Sequence, residues 1–394
     1  MPHKSSRYAR LPEYLLASIP QKKRELVARG VDVIDLGAGD ADLAPPPEAV
    51  AALERAAHDP AMSRYGFGAG LPAFREAVSR FMQRRFGVQA DPMREVVPLI
   101  GSKEGIAHLA LAYLDAGDVA IIPEPGYLAY LGGTLLSDGT PHVVPLDPRA
   151  NFLVELDDVP SDVLARTKLL YLNYPNNPTA AIAPRDYLER VVRQCRERDI
   201  LLAYDNAYSE LAYDGYRPPS IFEIPGARDV AIEFHSLSKT YNMTGWRCGW
   251  AVARPDIASV LAKVKSFLDT GTFMAVQAAG AAALDAWEHF VPANLRTFAE
   301  RRDAAVRAFR AAGFACEAPR ATMYLWLPLP AGVPSAAFAE RLLNEEGVVV
   351  LPGSSFGAGG EGFFRISFIT SPSRIAKAAE RAGRVLESFE AAVA

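Results

Sequence analysis

Short apolar runs alternate with longer amphipathic stretches through the first 254 residues of the chain. The apolar runs have the length and composition of buried strands, and they occupy residues 31–36, 96–100, 118–123, 168–174, 200–204 and 230–234. Helical periodicity precedes the first run, over residues 15–28, and lies between later ones, over residues 72–86, 106–114 and 186–198. This alternation predicts an α/β fold, in which a mostly parallel sheet carries helices on both faces.

From residue 255 onward the order of predicted strands and helices is different. Helical patterns dominate residues 255–312, and from residue 314 strands and helices alternate on a smaller scale, with strands expected in 324–327, 348–353 and 362–368. A chain of 394 residues can bury a large core. We therefore expect one large domain and one smaller α+β domain.

Composition and charge exclude several classes of protein. Hydrophobic residues make up 50% of the chain and the net charge is -4 with both signs interspersed, so no basic field for nucleic acid or an anionic membrane is evident. The first seven residues lack a following apolar segment and no run is long enough to span a bilayer, which predicts a cytoplasmic protein. Cys195, Cys248 and Cys316 are too few and too separated for a disulfide framework or a metal site.

The chemistry centres on Lys239. The apolar run 230–234 leads into small hydroxyl residues and then this lysine, as a buried strand ending at an exposed loop would. An amine there can form a Schiff base with a carbonyl if its surroundings lower its pKa from the usual value of about 10.4. Arg247 lies between Gly245 and Gly249, where a guanidinium can bind a phosphate. Ser236 adds a hydroxyl. Together these groups suggest pyridoxal phosphate, although Ser-x-Ser-Lys alone is also common around surface lysines.

Two further segments carry residues suited to such a cofactor. Ser102 and Lys103 lie between a predicted strand that ends before Gly101 and a helical pattern, an arrangement that points free amides at an anion or merely caps the helix. Asp205 ends an apolar strand, where a carboxylate is costly unless paired. A protonated pyridine nitrogen would pair with it, and Tyr208 could address the same ring edge. The alternative is a capping aspartate with a packing tyrosine.

Other candidates are less specific on sequence alone. Tyr127 follows a strand and could stack on a planar cofactor or pack in the core, whereas Tyr130 is interpreted as packing. Tyr65, in a glycine-rich loop, could reach a ligand or a neighbouring subunit. Arg365 interrupts a strongly apolar strand and must find an anion, which a structural salt bridge could also supply. The glycine-rich segment 37–42 reads first as a turn.

Residues 235–250 closely resemble the lysine segment of the class I/II aminotransferases of the fold-type I pyridoxal-phosphate family, and the other matches follow the family's order along most of the chain. The resemblance implies that Lys239 is catalytic and carries the cofactor. It places Asn177 and Tyr208 at the ring hydroxyl, Asp205 at the ring nitrogen and Tyr127 against the ring face. It implies phosphate contacts from Ser102, Lys103, Ser236, Arg247 and the partner subunit's Tyr65, and substrate carboxylate contacts from Gly39 and Arg365. Ala180 stands where the family motif has glycine.

Within that family the segments 11–19, 101–105 and 174–180 look most like the LL-diaminopimelate aminotransferase branch. In that branch a tyrosine like Tyr14 contacts the substrate, although Tyr14 could equally pack at a helix start. The stretch 265–271 departs from the branch, which tends to carry a polar residue where Phe267 stands. A departure there allows a substrate whose far end differs from diaminopimelate.

The resemblance therefore implies a cytoplasmic homodimer that moves an amino group between an L-amino acid and a 2-oxo acid, with glutamate and 2-oxoglutarate as one pair. It implies a large cofactor-binding domain over residues 46–289 and a small domain formed by residues 1–45 and 290–394. No metal, nucleic acid or membrane is expected. A β-eliminating lyase of the same fold and a non-catalytic aminotransferase-like ligand-binding protein remain alternatives. A nucleotide-binding α/β protein is disfavoured because the chain lacks a Gly-x-x-x-x-Gly-Lys-Ser/Thr run.

Overall fold

The computed structural model describes residues 2–12, 19–67 and 69–393. Twelve strands occur in this part of the chain: β1 Ile34–Asp35, β2 Val96–Leu99, β3 Val119–Glu124, β4 Thr140–Pro145, β5 Thr167–Leu172, β6 Leu201–Asp205, β7 Ala231–Ser236, β8 Gly249–Ala253, β9 Tyr324–Pro328, β10 Val348–Val349, β11 Leu351–Pro352 and β12 Phe363–Ser367.

The described residues also form fourteen α-helices. They are α1 Ser6–Ala9, α2 Ile19–Ala28, α3 Pro47–Ala57, α4 Pro72–Phe86, α5 Ser102–Tyr113, α6 Leu128–Leu136, α7 Ser161–Leu164, α8 Arg185–Arg198, α9 Leu237–Thr240, α10 Pro255–Leu268, α11 Met274–Asp285, α12 Trp287–Ala311, α13 Ser335–Glu346 and α14 Pro372–Val393. Among these helices, none combines the length and the apolar character that crossing a membrane requires.

The central sheet has seven strands in the order β2-β8-β7-β6-β5-β3-β4. β3, β4, β5, β6 and β7 pair with one another in parallel. β8 runs antiparallel to both of its neighbours, so β2 has the same direction as the other five strands. The predicted mostly parallel sheet is confirmed.

Helices cover both faces of this sheet because successive side chains of its buried strands point to opposite sides. In β5, Leu169 and Tyr171 pack in a cluster with residues of α5 and α10. The intervening Leu170 and Leu172 pack in another cluster with residues of α8. A continuous apolar run in the sequence thus contributes side chains to two hydrophobic clusters, one on each face of the sheet.

Two smaller sheets join the beginning and the end of the chain. β1 pairs in parallel with β10, and β11, β12 and β9 form an antiparallel sheet. Ile34 and Leu36 are buried in the same cluster as Phe364 and Ile375, more than 300 residues away. This packing is compatible with the predicted small domain, whose boundaries stay a prediction.

Several predicted elements differ in detail from the structure. The strand expected over residues 31–36 is reduced to Ile34–Asp35. The helix expected from residue 106 begins at Ser102, because Gly101 has a φ of 73° and ends the preceding strand abruptly. The exposed loop expected after residue 234 is wrong, since β7 continues to Ser236 and α9 follows directly. The buried hydroxyl of Ser236 accepts a hydrogen bond from the Ser238 amide and starts this short helix.

Candidate functional site

The predicted ligand-binding residues gather at one edge of the central sheet. Ser102 follows β2, Tyr127 follows β3 and Asn177 follows β5, whereas Asp205 and Ser236 are the last residues of β6 and β7. These strands run in one direction, so their carboxyl ends meet at the same edge, where open α/β sheets bind ligands. The sheet topology thereby brings together residues that are up to 134 positions apart in the sequence.

Lys239 lies in the middle of α9, and its side chain is half-buried. Its amine faces the segment around Gly39. Its Nζ donates a hydrogen bond of 2.5 Å to the carbonyl oxygen of Gly39. The segment around Gly39 is therefore in contact with the candidate catalytic amine. A methyl group on Gly39 would collide with the hydroxyl of Tyr324, which explains why this position carries glycine.

Arg365 is buried in β12 and reaches two carbonyl-type oxygens. Its Nη1 donates to Oδ1 of Asn177 at 2.8 Å, and its Nη2 donates to the carbonyl oxygen of Gly37 at 2.6 Å. The guanidinium carbon lies 4.1 Å from the ring centroid of Tyr324 and 5.0 Å from that of Phe356. The guanidinium is thus held flat by two rings and turned toward Asn177.

A cavity of about 330 Å³ opens between these residues. Its lining includes four of the predicted site residues, namely Gly39, Tyr127, Asn177 and Arg365. Lys23 and Asp35 also line it and form an ion pair of 2.9 Å. This volume is in the range of pockets for small ligands, and two charged groups of opposite sign plus an arginine suit a zwitterionic guest.

Asp205 has an unusual environment for a carboxylate. It is 5% exposed, its Oδ2 accepts a hydrogen bond of 2.9 Å from Tyr130, and its buried Oδ1 has no hydrogen-bond partner among the described residues. Burial raises the pKa of this carboxyl to about 6, although the hydrogen bond from Tyr130 opposes the rise. A cationic ring nitrogen of pyridoxal phosphate would satisfy the free oxygen, so this residue fits that group.

Tyr130 and Tyr324 are members of the site that the sequence analysis did not identify. Tyr130 stacks on Tyr171 at 4.9 Å between ring centroids, as expected for packing, but its hydroxyl also binds Asp205. The hydroxyl of Tyr324 lies 2.9 Å from that of Tyr208, and both tyrosines are buried. Burial raises the pKa of the Tyr208 hydroxyl well above its usual value. Nothing in the local sequence separates Tyr324 from a core residue, because it opens an ordinary apolar strand.

The residues predicted for the phosphate meet where β2, β7 and β8 end or begin. Ser102 is the first residue of α5, so its amide has no acceptor within the helix. A methyl group on Gly249 would lie 3.1 Å from the Ser102 amide nitrogen. Arg247 has a φ of 54°, donates to the carbonyl oxygen of Thr244 at 2.8 Å, and is so close to Gly101 that a side chain there would collide with its guanidinium. Amides and a guanidinium thus converge at one place, as an anion requires.

The structure does not bring Tyr65 into this arrangement. Tyr65 is 70% exposed and packs against Phe67, with a distance of 5.7 Å between ring centroids. Tyr65 does not line the cavity that contains Arg365, and neither do Lys239 and Asp205. Tyr14 lies outside the residues that the structure describes.

A cluster beside α5 has the spacing of metal ligands. Ligand atoms of Glu104, His108 and Asp269 lie within 4.8 Å of one another. The ammonium of buried Lys265 is already in contact with both carboxylates, at 2.7 Å from Glu104 and 3.1 Å from Asp269. Lys265 therefore supplies the positive charge that a metal ion would bring, and we assign no metal to this cluster.

Known proteins resemble this chain over almost its whole length. The profile of the family Aminotransferase class I and II matches residues 31–381. The chain is 48% identical over 384 residues to LL-diaminopimelate aminotransferase of Moorella thermoacetica, covering 98% of both chains. It is also 48% identical over 377 residues to the enzyme of the same name from Desulforudis audaxviator, covering 96% of both.

Solved structures show the same architecture. Substrate-bound BacF from Bacillus subtilis gives a TM-score of 0.93 at 32% identity, covering 98% of both chains. A Thermus thermophilus aspartate aminotransferase mutant gives a TM-score of 0.90 at 31% identity, covering 98% of this chain and 100% of the other. The fold is that of the fold-type I pyridoxal-phosphate enzymes, and the chain belongs to the class I and II aminotransferases.

Proposed function

We propose that this aminotransferase acts on LL-diaminopimelate and passes its amino group to 2-oxoglutarate. The observation that carries the proposal is the 48% identity, over almost the whole of both chains, with LL-diaminopimelate aminotransferases of two organisms. Diaminopimelate has an amino-acid group at each end. Arg365 lines the same cavity as the Lys23–Asp35 ion pair, so the cavity offers charged partners for both ends.

Pyridoxal 5'-phosphate is the cofactor of this family, and it supplies a ring that withdraws the electron pair released at the substrate Cα. The chain offers one group for each part of it. Asp205, with its free buried oxygen, would keep the ring nitrogen protonated. The amides of α5 that start at Ser102, with the neighbouring Lys103, Ser236 and Arg247, would hold the phosphate.

Three side chains would contact the cofactor ring, two at its hydroxyl and one at its face. Oδ1 of Asn177 accepts a hydrogen bond from Arg365, so the side-chain amide nitrogen of Asn177 is the group that would donate to the ring hydroxyl. Tyr208 would donate to the same hydroxyl, and its raised pKa keeps it protonated for that task. Tyr127 lines the cavity and would cover one face of the ring.

Lys239 would carry the cofactor covalently between reactions and move the proton during them. Released from the carbonyl oxygen of Gly39 and present as the neutral amine, it would take the proton from the substrate Cα. Half-burial on a short helix at the end of β7 limits the positions this amine can take. The same amine would then deliver the proton to the carbonyl carbon of the cofactor.

Arg365 would bind the substrate α-carboxylate. The stacking of its guanidinium on Tyr324 and Phe356 fixes the plane in which a carboxylate can make two parallel hydrogen bonds. The Gly39 amide would contact the same carboxylate. Held at two points, the carboxylate would turn the Cα–H bond toward Lys239 and out of the plane of the ring.

The full site would need a second copy of the chain. We propose a cytoplasmic homodimer in which Tyr65, 70% exposed in one chain, reaches the phosphate bound by its partner. Tyr14 would contact the substrate. The domain division at residues 45–46 and 289–290 belongs to the same proposal, since the cavity is lined both by Tyr127 and Asn177, which follow strands of the central sheet, and by Arg365.

A half-reaction experiment tests the substrate. The purified enzyme with bound cofactor is mixed with one amino acid at a time, without any 2-oxo acid, and its absorbance is followed. We expect LL-diaminopimelate and L-glutamate to convert the cofactor to its amino form, with kcat/KM for LL-diaminopimelate at least 100-fold above that for L-lysine or L-phenylalanine. Reaction with L-phenylalanine and not with LL-diaminopimelate would overturn the proposal. Release of ammonia would instead indicate the β-eliminating lyase.

A further inference from the structure

Lys265 is a charged residue in an unusual place. Its side chain is fully buried, yet it lies near the end of α10 and close to the first turn of α5. Its Nζ contacts Oε1 of Glu104 at 2.7 Å and Oδ1 of Asp269 at 3.1 Å. A buried ammonium is costly unless it is paired, so these two carboxylates must be its counter-charges.

Glu104 belongs to the turn that offers its amides to an anion. It lies in the first turn of α5, two residues after Ser102, and its Oε2 accepts a hydrogen bond of 3.0 Å from the Ile100 amide. A carboxylate here stabilises the helix N-terminus, but its negative charge also weakens the attraction of the helix dipole for a phosphate dianion. Two negative groups at one helix end repel each other unless one of them is neutralised.

The neighbours of Glu104 neutralise it. Burial opposes ionisation, but Nδ1 of His108, 2.6 Å from Oε1 of Glu104, and the charge of Lys265 hold the pKa of the Glu104 carboxyl below its usual value. The carboxylate is therefore ionised, and the positive charge of Lys265, which Asp269 shares, lies closest to Glu104. Both of its oxygens are occupied, one by Lys265 and His108 and the other by Ile100.

The same group of residues fixes the other side of the anion site. Asp269, held by Lys265, accepts a hydrogen bond of 2.7 Å from the Gly271 amide. In the next residue the hydroxyl of Thr272 lies 3.0 Å from the carbonyl oxygen of Leu99 and 3.3 Å from that of Arg247. Lys265 thus connects the turn before α5 with the segment that positions Arg247.

We infer that Lys265 is a positioning residue for the cofactor phosphate: it neutralises Glu104 and fixes the turn of α5 whose amides bind the phosphate. The inference rests on the phosphate position given under the proposed function. It does not depend on which amino acid is the substrate. The hydrogen bonds of the Lys265 ammonium go to Glu104 and Asp269, so its effect on the cofactor must be indirect and appear in how well the phosphate group is recognised.

The ratio of two dissociation constants measures this recognition. Pyridoxal and pyridoxal 5'-phosphate share the ring and the aldehyde and differ only in the phosphate. We expect Lys265→Met to weaken binding of pyridoxal 5'-phosphate at least 10-fold and binding of pyridoxal less than 2-fold, measured by equilibrium absorbance titration of the cofactor-depleted enzyme. Equal weakening of both ligands, or of neither, would overturn the inference, because a merely structural role does not distinguish them.

Two further variants separate charge from folding. Glu104→Gln combined with Lys265→Met removes both charges together, and we expect it to recover most of the lost preference for the phosphorylated ligand. This double variant also serves if Lys265→Met folds poorly. A double variant whose preference stays 10-fold or more below that of the wild type would contradict neutralisation of Glu104 as the role of Lys265.

Arg85→Met is the matched control. The Arg85–Glu210 pair is as short, at 2.7 Å, and as deeply buried, and Arg85 makes its other hydrogen bonds to the carbonyl oxygens of Ser209 and Pro218. We expect this variant to lose stability without changing the ratio of the two dissociation constants. A wild-type enzyme that bound both ligands equally would overturn the phosphate site itself and this inference with it, whatever its activity toward LL-diaminopimelate.

Discussion

The hydroxyl oxygens of Tyr208 and Tyr324 lie 2.9 Å apart in the interior of the protein. Tyr208 follows β6, whereas Tyr324 opens β9 and supports the guanidinium of Arg365 on its ring. Tyr324 therefore connects the residue proposed for the cofactor hydroxyl with the residue proposed for the substrate carboxylate. The two contacts use different parts of its side chain, so substitutions can separate them.

Removal of only the Tyr324 hydroxyl should leave substrate binding intact. Tyr324→Phe keeps the ring under Arg365 and loses one hydrogen bond, which is worth about 1 kcal/mol. We expect KM for the amino donor to change less than 2-fold and kcat to fall several-fold, because Tyr208 loses its partner. Tyr324→Leu removes the ring as well and should raise KM about 10-fold. Steady-state kinetics of the two variants check this, and equal KM values for both would contradict it.

Arg365→Lys should damage the enzyme although it conserves charge. A lysine ammonium cannot make two parallel hydrogen bonds to a carboxylate, nor stack on Tyr324 and Phe356 in the same way. We expect kcat/KM to fall at least 100-fold, about 3 kcal/mol of transition-state stabilisation. The absorbance of the bound cofactor should not change, and this serves as the internal control. An unchanged kcat/KM would remove Arg365 from the substrate site.

The pKa of Asp205 predicts how the cofactor-free protein responds to pH. Burial raises this pKa from 3.8 to about 6, so between these values the folded state binds more protons than the unfolded state. The free energy of unfolding should therefore fall by about 3 kcal/mol in total as the pH rises from 4 through 6, and it should stay at the lower value above pH 6. Asp205→Asn should not show this fall. The difference in unfolding free energy between the two proteins in urea, at pH 4 and pH 7, measures it.

Cofactor binding should reverse that behaviour of Asp205. A protonated ring nitrogen gives the buried carboxylate a partner and lowers its pKa, so the holoenzyme should keep its stability up to pH 7. We also expect Asp205→Asn to bind the cofactor but to lose most of its kcat, since the ring nitrogen is no longer held protonated. A holoenzyme that loses the same 3 kcal/mol would place the cofactor elsewhere.

Lys239→Ala should lose the covalent cofactor and catalysis. Alanine has no amine to bond to the aldehyde or to move the proton at Cα, so we expect kcat to fall by at least 10⁴-fold. Borohydride reduction of the wild-type holoenzyme followed by peptide mass analysis should mark Lys239. Labelling of another lysine, or full turnover by the variant, would refute the assignment.

Mixed dimers test whether two chains share each site. Tyr65→Ala and Lys239→Ala should each be poorly active alone. If Tyr65 serves the site of the partner subunit, a dimer with one chain of each kind contains one intact site and one doubly defective site. Unfolding and refolding the two variants together should then recover activity that neither shows alone. Failure of the mixture to gain activity, despite dimers formed, would mean that Tyr65 does not act across the interface.

The sequence predicted the fold and the order of the candidate residues because both depend on local patterns. Apolar runs of strand length and helices at regular intervals predict a parallel sheet, and the structure confirms it. The sequence indicated Asp205 and Arg365 as candidates because a charge inside an apolar strand needs a partner. The positions of Ser102 and Ser236 followed from where their strands end.

Other relationships were decided only by the tertiary structure. Tyr324 lies 116 residues from Tyr208, and Lys265 lies 161 residues from Glu104. A hydrophobicity pattern predicts that a residue is buried but not which residue it meets, since the partner depends on how distant elements cross. The orientation of β8, the pairing of β1 with β10 and the role of Tyr130 at Asp205 arise in the same way. The sequence by itself determined which elements form, whereas their packing determined which polar groups share one site.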